Sequence, residues 1–585
     1  MGPLAFLAGG FALATAATAL LRPLARRLGA VAPPRPDRWN PRPTPLLGGI
    51  AIAIPVAAAA LLLPPGSRDA LVLVAGASAL GALGLLDDLR PLSPRIKLAS
   101  QILVALGVVT LGLALEPTSS LLVNALFSVV WLVAITNAFN LLDNMDGLAA
   151  GVAAIATGFR LVFLVGEGDL VGADLSAAFL GALLGFLVFN SSPASIFMGD
   201  AGSMFVGFLL GGLSLASPSA HSRSLVSVLV LPVLVLLVPI FDTIFVTLTR
   251  ILANRAVSAG ARDHTSHRLV QLGFSEREAV GMLYLAAVVG GATAYFSRVY
   301  GFAYGLVFAT LLLVGTALAG LLLAQVRTPE PRPPLEGERL LRRLLLRIPY
   351  RRQAATMAAD LVSIALAYYC AYILRFDELS GPVAARFSES LPLAIACQAL
   401  ALALFRTHRV AWRYPSLRDA LRLVKATLLG VALTAFGILG VYRFAGYSRA
   451  VLVLDGALLL LLLGATRLAF LALADLLRAR SPEARSVLVY GAGDLGELAL
   501  RQLLRGRSGS RRPIGLLDDD PDKRGLEIHG FPVLGSGAEL AAILRSRPVE
   551  EVVVAERLSP ERAHEIEATC RSHAVHLLPV TTLFE

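Results

Sequence analysis

Long apolar runs, most of them near 20 residues, alternate with short polar clusters from residue 2 to residue 477. A helix of that length crosses about 30 Å of hydrocarbon. The runs are rich in Leu, Ala and Gly and lack the strict polar–apolar alternation of barrel strands. The pattern predicts spans near 2–21, 45–64, 70–86, 98–115, 120–137, 148–165, 174–190, 201–216, 225–249, 279–297 and 300–325. A second set follows near 354–374, 390–405, 426–442 and 450–477. Beyond these the period changes. Ser486–Tyr490 reads as a buried strand, and Gly491, Gly493 and Gly496 then open a helix in a G-x-G-x-x-G arrangement. "PIGLLDDD" and "VEEVVVA" read as further strands, the first ending at Asp518, where a ribose-binding acid is expected.

The expected fold is a polytopic α-helical membrane protein with 11 + 4 transmembrane helices and a C-terminal cytoplasmic α/β Rossmann-like domain. Four segments follow: a membrane domain at 1–325, an Arg/Pro-rich linker at 326–353, a four-helix transmembrane segment at 354–480 and the α/β domain at 484–585. The linker holds 8 Arg against 3 Glu and suits anionic lipid, while Trp412 and Tyr414 read as interfacial anchors.

Composition agrees. The 585 residues are 56% hydrophobic, with a mean hydropathy of +0.71, which places the chain among integral membrane proteins. The N-terminal run lacks a basic n-region and a clear cleavage site, so it reads as a retained first span. Three cysteines, Cys370, Cys397 and Cys570, lie too far apart in sequence for a disulfide framework or a clustered zinc site. The net charge of +11 points to basic cytoplasmic loops rather than to nucleic acid. Loops on alternate sides hold 28 and 7 Lys plus Arg, with Arg160 inside a span. That bias predicts a multi-pass cell-membrane protein whose 28-cation face is cytoplasmic.

The same parity brings five polar clusters to that face: "RPTPLLGG" (42–49), "LLDDLRPLSPRIKLASQ" (85–101), "NAFNLLDNMDG" (137–147), "NSSPASIFMGDAGS" (190–203) and "RDHTSHRL" (262–269). They supply Asp87, Asp88, Asp143, Asp146, Asp200 and Asp263, with Asp242 on a neighbouring span and Lys97, His264, His267 and Arg268 as cations. Carboxylates and amides of this kind suit a hard ion such as Mg²⁺, with Mn²⁺ as an alternative, bound together with substrate phosphates. A diphosphate substrate accounts for the cations. Asp143 and Asp146 are i,i+3 neighbours, so a helical turn would aim both at one ligand. Adjacent Asp87 and Asp88 cannot share a helical face, so one reaches the reaction centre while the other orients a partner. His264 and His267 lie in a long basic loop without a third zinc ligand, which favours phosphate or sugar contact. Each cluster alone has a plainer reading: a solvated helix end for the Asp pair, a helix cap for Asp200, a structural role for Asp242. Together, at one face, they argue for a site.

These motifs, in this order, resemble the polyprenyl-phosphate N-acetylhexosamine-1-phosphate transferases, the MraY/WecA superfamily of glycosyltransferase family 4. The resemblance spans 1–325 and rests on "PTPLLGG", "LLDDL…K…Q", "NAFNLLDNMDGLAAG", "PASIFMGDAGS", "PIFDT" and "DHTSHRL". It implies transfer of a sugar 1-phosphate from a UDP-N-acetylhexosamine to a polyprenyl phosphate such as undecaprenyl phosphate, with release of UMP. By motif, Asp87 acts on the lipid phosphate with Asp88 beside it, and Asp200 and Asn140 hold the metal. Asp143 and Asp146 shape the nucleotide site, and His264, His267 and Arg268 meet sugar or diphosphate. Lys97, Asn137, Asn140, Asn144 and Asn190 are further substrate contacts. "LLDNMDG" and "DHTSHRL" are closer to the GlcNAc-transferring branch than to the peptidoglycan branch. Asn40 and Ser195 depart from the pattern, each replacing a cation common in relatives. Membrane lipids are partners, and a homodimer is admitted.

The second half resembles the N-terminal part of membrane-bound nucleotide-sugar dehydratases and epimerases, through "LRFD", "WRYPSLRD", "GAGDLGE" and "GLLDDDPDKRGLEIHGFPVLG". That family's catalytic domain, with a Tyr-x-x-x-Lys pair, would begin where this sequence ends, so dehydratase chemistry is not carried over. The region is expected to be an accessory module, with NAD(P) or another nucleotide at Gly491, Gly493, Gly496 and Asp518.

Overall fold

The computed structural model describes residues 2–33, 43–116, 118–216, 230–252, 263–300, 302–324, 326, 351–376, 379, 381–407, 417–478, 485–505, 511–528, 531–556 and 558–583. Asn40, Arg262, most of the Arg/Pro-rich linker, Trp412 and Tyr414 lie outside these. The chain divides into two compact units, residues 1–473 (apart from 271–273) and 474–585.

The first unit is helical. Its helices in chain order are α1 (Pro3–Arg27), α2 (Gly48–Leu62), α3 (Arg68–Leu89), α4 (Pro94–Thr110), α5 (Leu121–Leu142), α6 (Leu148–Glu167), α7 (Leu170–Asn190) and α8 (Gly199–Leu215). Then come α9 (Leu231–Val235), α10 (Leu237–Leu252), α11 (Thr265–Gln271), α12 (Glu276–Val299) and α13 (Phe302–Leu323). Four more follow: α14 (Arg351–Phe376), α15 (Gly381–Leu404), α16 (Leu417–Tyr442) and α17 (Arg449–Arg478). Two short strands, β1 (Val31–Ala32) and β2 (Thr44–Pro45), pair antiparallel between α1 and α2. Among the described residues, 11 helices are long and apolar enough to cross a membrane. Leu61, Leu103, Leu126, Phe436 and Leu461 stand exposed on their outer faces, where lipid would cover them.

Several expected spans come out differently. Those near 45–64 and 201–216 are helices of 15 and 17 residues, and 17 residues reach only about 25 Å. A short helix is tolerated where protein surrounds it, and α8 is buried along almost its whole length. Glycines allow that enclosure. A Cβ on Gly49 would lie 2.2 Å from the Gly202 nitrogen, and one on Gly84 would lie 2.3 Å from the Asp200 carbonyl oxygen. Only bare backbone lets α2 and α3 approach the start of α8 so closely. The span near 225–249 is broken at Leu236. Pro239 explains the break, because its ring would clash with the carbonyl of residue 235 in a continuous helix.

Helices α14–α17 enclose an apolar core that includes Ile364, Ala367, Leu402, Ala426, Leu459 and Leu463. Two polar ties cross it. Gln398 donates to the buried carboxylate of Asp455, and Arg467 reaches both oxygens of Asp360 at 3.2 Å.

Among the described residues the second unit holds a six-stranded sheet. Its strands are β3 (Arg485–Tyr490), β4 (Arg511–Leu517), β5 (Glu527–Ile528), β6 (Phe531–Gly535), β7 (Glu551–Val554) and β8 (His576–Pro579). The spatial order is β5-β6-β4-β3-β7-β8, parallel except for β5 against β6. The order runs outward from β3 in both directions, as in a doubly wound Rossmann-type sheet. Helix α18 (Asp494–Arg505) follows β3, α19 (Leu540–Ser546) precedes β7, and α20 (Pro560–Ser572) precedes β8. Two apolar clusters, one containing Val487, Val489, Leu500 and Val553, the other Leu488, Tyr490, Val552 and Ile566, cover the two faces.

Two acids tie this sheet together. Glu551, 1% exposed, accepts from Arg485 at 2.9 Å and Arg511 at 2.5 Å. Asp519 accepts from the Tyr490 hydroxyl at 2.6 Å, the Gly537 amide at 2.8 Å and Arg562 at 3.2 Å. Burial disfavours ionisation of both, but these donors outweigh it and hold each carboxyl below its ordinary value. A carboxylate whose folded pKa is depressed contributes stability above its unfolded value, and that contribution disappears as pH falls through the folded value. Hydrogen exchange on the full chain, corrected for intrinsic rates, therefore keeps 487–490 and 551–554 protected above about pH 4.5 and loses protection progressively below it. Protection that does not change down to about pH 2 contradicts this role for the two acids.

Candidate active site

One end of the first unit collects polar side chains from four helix termini. Asp87 and Asp88 sit in the last turn of α3, Lys97 in the first turn of α4, Asn140 near the end of α5 and Asp200 at the start of α8. The ammonium of Lys97 lies 2.7 Å from an oxygen of Asp87 and 2.7 Å from an oxygen of Asp200. The other Asp87 oxygen accepts from the Leu92 amide at 2.6 Å, which fixes the carboxylate across the α3–α4 turn. Asn140 donates to Asp200 at 3.1 Å and to the Ser203 hydroxyl at 2.9 Å.

The neighbouring Asp88 works differently. Its two oxygens accept from the amides of Asp200 at 2.9 Å and Ala201 at 3.0 Å. These are among the free amides of the α8 N-terminus, whose partial positive charge favours an anion. Helix α8 is thus capped by a side chain from α3. Asp200, read from sequence as a candidate cap, instead directs its carboxylate to Lys97 and Asn140. Gly199 has φ +70°, and a Cβ there would lie 2.5 Å from an Asp88 oxygen. Only glycine fits that corner.

The turn between α5 and α6 carries the next group. Asp143 and Asp146 do not share a helical turn as their spacing suggested. Asp143 ends α5 with ψ 55°, and Gly147 starts α6 with φ 75°. Asp146 accepts from the Ala194 amide at 2.7 Å, and the Gly147 carbonyl accepts from Tyr284 at 2.6 Å. A cavity of about 210 Å³ adjoins this turn, lined by Met145, Asp146, Ser192, Arg277, Val280 and Tyr284 among others. Arg277 and Tyr284, on α12, had no motif to announce them.

A second polar group involves α10 and α11. The "DHTSH" segment, expected as a loop, folds from Thr265 into the buried helix α11. Asp242 on α10 accepts from the His264 Nδ1 at 2.8 Å and from the Thr265 amide at 2.8 Å, so it caps α11 from outside. The His264 and His267 rings meet edge-on with centroids 6.0 Å apart. Asp263 receives a two-pronged guanidinium from Arg250, at 2.9 and 2.7 Å. Asn144 joins this group to α5, because its side-chain oxygen accepts from Ser266 at 2.7 Å.

Three residues expected to touch substrate are turned toward protein. Asn137 exchanges hydrogen bonds with Gln101 and also donates to the Val133 carbonyl. Buried Asn190 accepts from the Gly147 amide at 3.1 Å and donates to the Ile196 carbonyl at 2.9 Å. Arg268 donates to the carbonyls of Asp263, Leu323 and Val326 and lies 5.1 Å from the centre of the Phe245 ring. They position backbone around the site. Ser195, a departure from the family pattern, donates to the Phe189 carbonyl.

Among the described residues no three His, Cys, Asp or Glu side chains converge as a metal cluster. The pair Asp87 and Asp200 already holds one cation, the Lys97 ammonium, and Asn140 meets Asp200 through its side-chain nitrogen. Hard oxygen donors of this kind fit Mg²⁺ or Mn²⁺, which commonly take one or two protein carboxylates plus phosphate oxygens.

The glycine-rich turn of the second unit is partly closed on itself. Gly491 has φ +102°, and a Cβ on Gly496 would lie 1.8 Å from the Gly491 carbonyl oxygen, so both serve the turn's geometry. Gly493 has open space around it. Asp518, expected to receive a ribose, accepts instead from the Ala492 amide at 2.7 Å and Lys523 at 3.0 Å. Burial raises its pKa, but the Asp520 and Ala492 amides and Lys523 together hold it below the ordinary value.

Fold and site together define a multi-pass membrane protein with a charged, oxygen-rich centre at one end of its helices. Comparison with known proteins narrows this. A family profile described as "Glycosyl transferase family 4" matches residues 70–218, and one described as "CoA-binding domain" matches 405–580. A "Probable undecaprenyl-phosphate N-acetylglucosaminyl 1-phosphate transferase" of Bacillus subtilis is 36% identical over 287 residues, which cover 47% of this chain and 80% of the relative. A "Decaprenyl-phosphate N-acetylglucosaminephosphotransferase" of Mycolicibacterium smegmatis is 38% identical over 311 residues, 46% of this chain and 75% of the relative. A "Phospho-N-acetylmuramoyl-pentapeptide-transferase" of Halalkalibacterium halodurans is 36% identical over 196 residues, 29% of this chain and 60% of the relative. The chain belongs to the glycosyltransferase family 4 of membrane phospho-sugar transferases.

The cap on α8 gives a test. Asp88→Ala removes both acceptors and costs about 1–2 kcal/mol of stability, as for other lost helix caps. It also frees Asp200 to shift, so turnover falls more than stability does. A thermal midpoint unchanged from wild type contradicts the cap.

Proposed function

We propose that the first unit transfers N-acetylglucosamine 1-phosphate from UDP-N-acetylglucosamine to a polyprenyl phosphate such as undecaprenyl phosphate, releasing UMP, to start a lipid-linked envelope polysaccharide. The observation that carries the reading is the Lys97 ammonium held at 2.7 Å by both Asp87 and Asp200. Such an arrangement has no need of covalent chemistry, only of charge and position, as phosphoryl-type transfers require. The Bacillus subtilis and Mycolicibacterium smegmatis relatives, matched over 80% and 75% of their length, support the substrate pair.

In this reading an oxygen of the lipid phosphate attacks the β-phosphorus of the sugar nucleotide. The bond from that phosphorus to the bridging oxygen breaks, and its electrons leave with UMP. Lys97 offsets the negative charge of the phosphates, and Asp87, anchored by the Leu92 amide, faces the acceptor. Asp88 keeps Asp200 in place, and Asn140 orients the Asp200 carboxylate. A bound Mg²⁺, or Mn²⁺, held by Asp200, Asp87 and Asn140 would neutralise diphosphate charge. The cavity beside Asp146 receives the nucleotide. His264 and His267, joined to α5 through Ser266 and Asn144, border the sugar-diphosphate side. The excess of Lys and Arg in loops on the side of the site, 28 against 7, supports a cytoplasmic orientation. The second unit is an accessory module, and a nucleotide such as NAD(P) enters its glycine turn only if Asp518 releases the Ala492 amide.

Purified protein given UDP-N-acetylglucosamine, undecaprenyl phosphate and Mg²⁺ releases UMP. Asp87→Asn and Asp200→Asn each lower that rate at least about 100-fold, the scale of losing one electrostatic group at a transfer centre. Chelation of divalent ions stops turnover and re-addition of Mg²⁺ restores it. Wild-type rates in both variants contradict the assignment, and equal rates with other UDP-hexosamines contradict the choice of sugar.

A further inference from the structure

Helix α12 carries two side chains that the transfer chemistry leaves unused, and both hold backbone beside the cavity at Asp146. The Tyr284 hydroxyl donates at 2.6 Å to the Gly147 carbonyl, on the α5–α6 turn. Arg277 donates at 3.0 Å to the Ser192 carbonyl, on the loop between α7 and α8. The turn and the loop also hold each other. Asp146 accepts from the Ala194 amide, and Asn190 links the Gly147 amide to the Ile196 carbonyl. Three elements thus meet around one space of about 210 Å³.

Neither side chain is placed by local preference. Ser275 and Glu278 form a capping box that starts α12, and Arg277 lies in that first turn. A helix N-terminus favours anions, so a cation there works against the local partial charge. Glu276 and Glu278 flank it in sequence, yet among the described residues no carboxylate pairs with Arg277. Its guanidinium goes to the Ser192 carbonyl, and the side chain lines the cavity. Tyr284 is fitted as closely. A Cβ on Gly151 would lie 2.0 Å from its hydroxyl oxygen, so the tyrosine rests against bare backbone of α6.

The loop between α7 and α8 is therefore pinned at both ends. Asp88 fixes the end that carries Asp200, through the amides of Asp200 and Ala201. Arg277 and Asp146 fix the end beside the cavity. One end serves the charged centre and the other serves the space assigned above to the nucleotide.

We propose that Arg277 and Tyr284 are positioning residues for the sugar nucleotide, fixing the turn and the loop that wall its cavity. They set the affinity for UDP-N-acetylglucosamine separately from the chemical step. This rests on the nucleotide entering the cavity beside Asp146. Both hydrogen bonds exist before substrate arrives, and bond making at the β-phosphorus does not involve them. Groups of that kind support the bound state and the transition state equally, so their loss raises KM and leaves kcat in place. The lipid acceptor, which faces Asp87, does not depend on them.

The test varies each substrate in turn and follows UMP release by full-length protein in detergent. Calorimetry gives the Kd for UDP-N-acetylglucosamine without acceptor. Tyr284→Phe deletes only the hydroxyl, and Arg277→Ala removes the guanidinium. Each is expected to raise KM and Kd for the sugar nucleotide about tenfold, the scale of one carbonyl left without its donor. The kcat and the KM for undecaprenyl phosphate stay within about twofold. Arg277→Lys keeps a donor for the Ser192 carbonyl and restores most of the affinity. A thermal midpoint near wild type in Tyr284→Phe shows that the fold is kept. Unchanged KM and Kd for the sugar nucleotide in both variants overturn the proposal. So does a fall in kcat at unchanged KM, or an equal rise in KM for both substrates, which would mark a general loosening of the bundle. Wild type that binds no UDP-N-acetylglucosamine contradicts the nucleotide reading and this proposal together. Wild type that binds it without turnover contradicts the transfer reading alone, and the Kd values then decide the role of Arg277 and Tyr284.

Discussion

The contact on which the rest depends is one ammonium between two carboxylates. Lys97 comes from α4, Asp87 from α3 and Asp200 from α8, with both distances at 2.7 Å. Without the cation, two acids at the ends of separate helices would repel and move apart. With it, three helix termini are drawn to one point, and Asn140 brings a fourth, α5. The adjacent acid does the complementary work. Asp88 accepts from the first amides of α8 and fixes where that helix starts, so two neighbouring residues on α3 take two roles. One faces the centre and the other sets the position of its partner.

Such close quarters rest on missing side chains. Gly49 and Gly84 let α2 and α3 touch the backbone of α8, and Gly199 leaves room for the Asp88 carboxylate. Two of the helices that meet at the centre, α4 and α8, are short, at 17 residues each. A helix of 17 residues ends before it has crossed the hydrocarbon, which leaves a polar, protein-lined recess where membrane-anchored and soluble substrates can meet. The broken α9–α10 pair serves the same geometry, because α10 carries Asp242 to the capping position of α11.

What was legible in the sequence followed from constraints of one kind. A bilayer imposes a narrow range of lengths on every span, so apolar runs located most helices, and G-x-G-x-x-G after a strand announced the turn of the parallel sheet. Spacing could also say that Asp87 and Asp88 point different ways. Spacing could not say what each polar group meets. Asn137, Asn190 and Arg268 carry the same chemistry as substrate-binding residues, but their hydrogen bonds go to Gln101, Gly147 and the Leu323 carbonyl, far away in the chain, and to nearer backbone carbonyls. The i,i+3 pair Asp143 and Asp146 was misleading because Gly147, with φ +75°, starts a new helix inside the motif. Asp518 sits where a ribose acid belongs, yet it is held by the Ala492 amide of the glycine turn. Apart from Gly147, the deciding partner lies outside any local window, and Arg277 and Tyr284 on α12 left no local signal at all.

The centre is tested most directly by removing its cation alone. Lys97→Met keeps the length and apolar stem of the side chain and deletes the charge between Asp87 and Asp200. UMP release from UDP-N-acetylglucosamine and undecaprenyl phosphate, measured across a Mg²⁺ titration, is predicted to fall at least about 100-fold and not to recover at saturating Mg²⁺. Turnover within a few-fold of wild type would contradict the claim that this ammonium organises the transfer site.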